Sequence, residues 1–233
     1  MRKSQQRQTM SKQKRYLELV ESRKACRACK ELKNPSVCAG GVFDSDHIGP
    51  WSRWQANLDA RLLVIGQDWG DTRYFVDHQG FDTPENPTNR HLKELLESIG
   101  IAIQAPSHTD TVGEIFLTNA ILCLKKGGLQ ARVETEWFEN CGKRYLRPLI
   151  DLIASEIVIT LGLRTLAIVL SLYDMPKPKR LQDAVENRDG IELPGGILLF
   201  PMYHCGQRVL NTHRPFHQQL EDWARVGHIL EGT

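Results

Sequence analysis

Four short apolar runs constrain this chain more than any other feature: LLVIG at 62–66, EIFLTNA at 114–120, EIVITL at 156–161 and ILLFP at 197–201. An apolar run without polar alternation suits a strand covered on both faces. Helical patterns separate the runs. Leu92, Leu95, Leu96 and Ile99 lie on one face of a helix over 89–99, which Thr88 can cap and Gly100 can stop. Residues 13–25, 133–153, 163–171 and 215–226 read as further helices. This alternation predicts an α/β fold, three-layer α/β/α, with a mainly parallel four-stranded central sheet. Residues 30–60 are irregular, and Trp51 and Trp54 are expected to fasten them to the body.

A chain of 233 residues suffices for one sizeable core. The expected organisation is a basic flexible tail over 1–12 and a single domain over 13–233. Arg2, Lys3, Arg7 and Lys12 in the tail could touch phosphates or simply solvate it. A net charge of +2 does not by itself announce a nucleic-acid binder. No apolar signal segment follows MRKSQQRQTM, and no stretch reaches the length of a membrane span, so the expected location is cytoplasmic. Structural disulfides are rare there, which leaves six cysteines needing another role. Metal or cluster ligation is the first possibility and inert burial the second.

In a parallel sheet, ligands sit beyond the carboxyl ends of the strands. Gln67 and Asp68 follow the first run, Asn119 closes the second, and Tyr203 and His204 follow the fourth. A carboxylate at Asp68 could activate water or steady a cation, or it could cap amides in a turn; Gly66 and Gly70 on either side favour close approach. Asn119 offers the donors and acceptor that an imide edge requires, or bonds its own turn. His204 could donate to a carbonyl oxygen or be a satisfied loop residue. His213 and His217, at the entry to the last helix, are weaker candidates. Phe81 could stack on a base or plug its loop into the core.

Three segments carry a resemblance. VIGQDWGD at 64–71 resembles the first active-site motif of the uracil-DNA glycosylase superfamily, which begins Gly-Gln-Asp in its best-known branch. The stacking phenylalanine of that motif follows its aspartate at the spacing that separates Asp68 from Phe81. TNAILC at 118–123 is similar to the strand bearing the uracil-reading asparagine, followed by a cluster cysteine in the thermophile-type branch. FPMYHCGQRVLNTHRP at 200–215 resembles the final motif, where a histidine begins the loop that enters the minor groove. The motifs depart from the best-known branch in two places. Trp69-Gly70 replaces Pro-Tyr, so the tyrosine that crowds the thymine methyl is absent; Cys205-Gly206 follows His204, so the groove wedge has no obvious identity.

The resemblance implies a monofunctional glycosylase that hydrolyses the N-glycosidic bond of uracil in DNA and leaves an abasic site. Asp68 and His204 would be catalytic; Gln67, Phe81 and Asn119 would bind the base. Gln207, Arg208, Leu210 and Arg214 would meet DNA, single- or double-stranded, and the chain is expected to act as a monomer. Two alternatives remain: a glycosylase for another deaminated base, and a damaged- or abasic-DNA-binding protein with little turnover. Among the cysteines, Cys26-x2-Cys29 could hold one edge of a metal or cluster, and the spacing permits zinc or iron–sulfur. The resemblance implies a structural [4Fe–4S] cluster on Cys26, Cys29, Cys123 and Cys141, with zinc as the alternative and Cys38 and Cys205 as spares.

Overall fold

The computed structural model describes residues 2–106, 114–128 and 131–232, with side chains from residue 11 onward. Five strands form one sheet: β1 Leu62–Asp68, β2 Ile115–Ile121, β3 Ile157–Leu161, β4 Ile191–Leu193 and β5 Ile197–Met202, in the order β2-β1-β3-β5-β4. The four apolar runs are β1, β2, β3 and β5, all mutually parallel. The fifth strand corrects the expected four and makes the sheet mixed, because β4 pairs antiparallel with β5. Its three residues, Ile-Glu-Leu, sit between glycines in a polar stretch and are too short for a period to register.

Nine α-helices lie among the described residues: α1 Arg2–Ala25, α2 Thr72–Asp77, α3 Pro87–Glu97, α4 Thr135–Cys141, α5 Arg147–Ile153, α6 Leu163–Leu172, α7 Leu181–Val185, α8 Gln207–Thr212 and α9 Phe216–Glu231. The segment expected as a tail is, from Arg2 onward, the beginning of α1. At the far end of that segment Lys12 bridges to Asp59 at 2.9 Å and to the Ile153 carbonyl at 3.0 Å. The pattern over 133–153 divides into α4, a wide π turn at Gly142–Leu146, and α5. Pro148, in the first turn of α5, has no N–H to continue the ladder from the preceding turn. Asn86, rather than Thr88, caps α3, its side chain accepting from the Thr88 N–H at 3.0 Å.

The strand period of two divides the core between the faces of the sheet. Leu63 and Ile65 of β1, with Phe116, Val158 and Leu199, meet α1, α4, α5 and α6. Leu62 and Val64, with Leu117, Ile159 and Phe200, meet α3 and α9. Helices therefore cover both faces, which explains the missing alternation. Each fully buried large apolar side chain contributes roughly 1.5–3 kcal/mol relative to exposure. Trp51 and Trp54 are buried in the second cluster, as the reading of 30–60 expected.

Two further contacts matter below. Arg23 of α1, 1% exposed, reaches both oxygens of Asp44 at 2.8 Å and donates to the Ser45 and His47 carbonyls. Along the outer edge of β2, the Leu117 N–H donates to the Gln55 carbonyl at 3.0 Å and the Asn57 N–H to the Ile115 carbonyl at 3.2 Å. Among the described residues, no helix is long and apolar enough to cross a membrane.

Candidate active site

Parallel β1, β2, β3 and β5 deliver their carboxyl ends to one side of the sheet, and a cavity of about 570 Å³ opens there. Its lining includes Gln67 and Asp68 from β1, Asn119 from β2, Gly162 to Thr165 after β3, and His204 beyond β5. Asp68, Asn119 and His204, expected from sequence to surround a base, thus open into one space. Gly66 and Asn119 are register partners on neighbouring strands. A Cβ on Gly66 would lie 2.6 Å from Asn119 Nδ2 and 3.1 Å from the Trp51 ring, so the close approach requires glycine.

Asp68 is held at both oxygens. Gln67 Nε2 donates to Oδ2 at 2.8 Å, and Lys125 Nζ lies 2.9 Å from Oδ1. The Lys125 and Asp68 side chains are only 4% and 7% exposed. Sequence reasoning missed Lys125, because LKKGG reads as a polar turn. Position in the fold could have found it: it follows β2 by four residues, as Trp69 to Asp71 follow the chemistry of β1. The Lys125 N–H donates to the Gly70 carbonyl at 3.2 Å, and the Thr72 N–H donates to the Lys125 carbonyl at 3.0 Å. The extensions of β1 and β2 thereby stay paired past the sheet.

His204 is half-buried, and its Nδ1 accepts the Gly206 N–H at 2.9 Å. In the neutral ring this leaves the proton on Nε2 as a donor. Burial lowers the pKa of His204 from its ordinary value, and the charge of Asp68 partly opposes that shift. A Cβ on Gly206 would lie 2.9 Å from Nδ1, so this position also needs glycine.

Other expected residues fall elsewhere. Phe81 lines a neighbouring cavity with His78, Thr83 and Pro106, and the Arg53 guanidinium covers its ring at 3.4 Å from the centroid. The aromatic rings in the strand-end cavity are Trp51 and Trp69. Trp69 is braced by Tyr74 at 5.1 Å and Phe75 at 5.8 Å between centroids. Asp82, Asn86 and Asn89 add polar wall that the sequence reading did not anticipate. Burial raises the pKa of Asp82, whose carboxyl takes the Tyr74 hydroxyl at 2.7 Å.

Gln207 and Arg208 are exposed at the cavity mouth, on α8. Leu210 is not available as a wedge, since it is 8% exposed and turned into the body; the neighbouring Val209 lines the cavity instead. Arg214 is engaged by Asp222 through contacts of 2.7 and 2.9 Å, and is therefore a structural cation rather than a waiting phosphate ligand. His213 and His217 are exposed and outside the cavity lining. Cys205 is fully buried, its thiol against the Thr88 carbonyl at 3.4 Å. The first turn of α6, from Gly162 to Thr165, faces the cavity, and its N-cap Gly162 provides no side-chain cap. Unpaired N–H groups at such a helix start favour anions.

The cysteine expectation is corrected. Cys26, Cys29, Cys123 and Cys141 line a separate cavity of about 370 Å³ between the end of α1, the segment after β2, and α4. All are free thiols. Among the described residues, however, no group of three or more His, Cys, Asp or Glu side chains is arranged to hold a metal ion, which overturns both the [4Fe–4S] cluster and zinc. Ligation needs thiolates closing on one centre. Burial raises the Cys29 and Cys123 thiols and pushes Cys141 up to about 12.

Residues 54–225 match the family model described as the Uracil DNA glycosylase superfamily. The match covers most of the chain and contains every residue lining the strand-end cavity except Trp51. The protein belongs to the uracil DNA glycosylase superfamily, and is an enzyme of that hydrolase class. A comparison with curated proteins finds no match.

Proposed function

We propose that this protein releases uracil from DNA by hydrolysing its N-glycosidic bond, leaving an abasic site. One observation carries the reading: Asp68, Asn119 and His204, at or near the ends of three separate strands, line one cavity. A base inside a duplex must leave the stack to reach such a cavity, and a single strand can present it directly. Asn119 offers an acceptor and donors to the imide edge of uracil, N3–H and O4. Cytosine reverses that edge, and each polar group left unsatisfied costs about 1–3 kcal/mol.

The C1′–N1 bond breaks with its electron pair passing to the uracil ring, and water oxygen adds to C1′. Asp68 orients the water, favours the cationic sugar and accepts the water proton. The His204 Nε2–H donates to uracil O2 as negative charge grows there, which is stabilisation where charge develops. The departing anion then takes up a proton. Trp69, rather than Phe81, supplies an aromatic wall for the base. The α6 start and Arg208 are the groups suited to DNA phosphates.

The test is base release from single-lesion oligonucleotides, with uracil in single and double strands. Asp68→Asn should slow or abolish release while DNA binding persists. Asn119→Ala should lose uracil selectivity. Hypoxanthine and xanthine form a second arm, because Asp82, Asn86 and Asn89 extend the polar wall beyond what a pyrimidine edge uses. Preference for those bases would move the reading to purine lesions. A wild-type protein that leaves every lesion intact overturns it.

A further inference from the structure

We propose that Lys125 is a positioning residue: its ammonium fixes the Asp68 carboxylate as the water-orienting group of the cavity. The inference rests on the reading of Asp68 given above and assigns a role to a residue outside the three active-site motifs.

Lys125 Nζ is 2.9 Å from Asp68 Oδ1, while Gln67 Nε2 is 2.8 Å from Oδ2. A carboxylate gripped at both oxygens cannot rotate about its last bond without losing one partner. Its remaining lone pairs are presented to the cavity in one orientation. Lys125 is also placed more firmly than a surface lysine. Its side chain is 4% exposed, and its backbone pairs with Gly70 and Thr72 beyond the strand ends. The lysine and the aspartate therefore move as one frame.

A buried ion pair is poor evidence for a stabilising device, because desolvation offsets much of the attraction. A pair retained in the wall of a reactive cavity is better explained by geometry and charge. The ammonium also tempers the carboxylate. It offsets part of the attraction of Asp68 for the cationic sugar and leaves the free lone pairs of the carboxylate to water. His204, Arg164 and Asp82 are the other titratable or charged side chains that share this cavity wall with the pair, along with Arg208 at its mouth. None of these replaces the contact at Oδ1.

The experiment is single-turnover uracil release by the full chain, comparing wild type, Lys125→Met, Lys125→Arg, Asp68→Asn and the Lys125→Met/Asp68→Asn double variant. Lys125→Met should lower the rate of the bound complex about tenfold or more with DNA affinity unchanged, and Lys125→Arg should recover part of the loss. In the Asp68→Asn background, Lys125→Met should have little further effect, since it acts through Asp68. Thermal melts check folding, and the double variant removes both charges, so no unpaired buried ion remains in it. An unchanged rate in Lys125→Met overturns the inference, as does an equal loss in both backgrounds. Borohydride trapping of wild type on uracil DNA, lost in Lys125→Arg, would make the amine a nucleophile and also overturn it. A wild type that releases no base removes the reading of Asp68 and this inference together; an active wild type indifferent to Lys125 removes the inference alone.

Discussion

Arg23 and Lys125 are both nearly buried cations, 1% and 3% exposed, and each meets a carboxylate, Asp44 at 2.8 Å and Asp68 at 2.9 Å. Their surroundings differ. The Arg23 guanidinium grips both oxygens of Asp44 and two backbone carbonyls, tying α1 to the loop at 44–47. Its partners are spent on one another. The Lys125 ammonium shares its carboxylate with Gln67, and the group they hold borders open space. The Arg23 pair fixes the chain beside the cysteine cavity, whereas the Lys125 pair leaves chemistry available in the strand-end cavity. Burial and distance alone do not distinguish them; what lies on the far side of the carboxylate does.

The largest expected effect tests the Arg23 pair. Arg23→Met leaves the largely covered Asp44 without its cation and should cost about 3 kcal/mol in urea unfolding, with base release per folded molecule unchanged. A comparable loss of turnover in the folded variant would erase the contrast between the pairs. Gly66→Ala should act in the opposite sense. Its methyl would collide with Asn119 at 2.6 Å, so kcat/KM for uracil release should fall about 10- to 100-fold, roughly 1.4–2.7 kcal/mol. Stability should suffer less than activity.

The same contrast divides the two arginines of the last motif. Arg208→Gln should weaken DNA binding and flatten the dependence of log affinity on log salt by about one unit. Arg214→Gln should leave that slope unchanged and lower stability, because its partner is Asp222. The smallest effect concerns pH. His204 must be neutral to donate from Nε2 while Nδ1 accepts. Its lowered pKa should keep the rate within about twofold from pH 8 down to 6.5, with the decline only at lower pH. The unfolded chain binds that proton more readily than the folded one. The stability contributed by this group is therefore present above the ordinary histidine value and lost as pH falls below it.

The regular part of the fold was legible because β1, β2, β3 and β5 are covered on both faces and so lack polar alternation. β4 was not, since Ile191 to Leu193 complete less than two periods. Placement in the strand-end cavity was legible for residues at or near the carboxyl end of a strand, as with Asp68, Asn119 and His204. It failed where a second contact decides the outcome. Phe81 has the expected spacing, yet Arg53 covers its ring. Leu210 is as apolar as a wedge requires, yet α8 turns it inward. Arg214 has the right charge, and Asp222 consumes it. The cysteines kept their expected neighbourhood but not a ligating arrangement. Lys125 escaped for the converse reason: nothing local separates it from Lys126, and only pairing with Asp68 does.

The backbone contacts of residues 55–57 along β2 bear on how this molecule meets others. With that margin already engaged and the opposite margin only three residues long, neither side of the sheet offers a long free ladder for another chain to join. Recognition is left to side chains and helix ends around the opening between the strands, where a polyanion can lie across the surface without adding a strand.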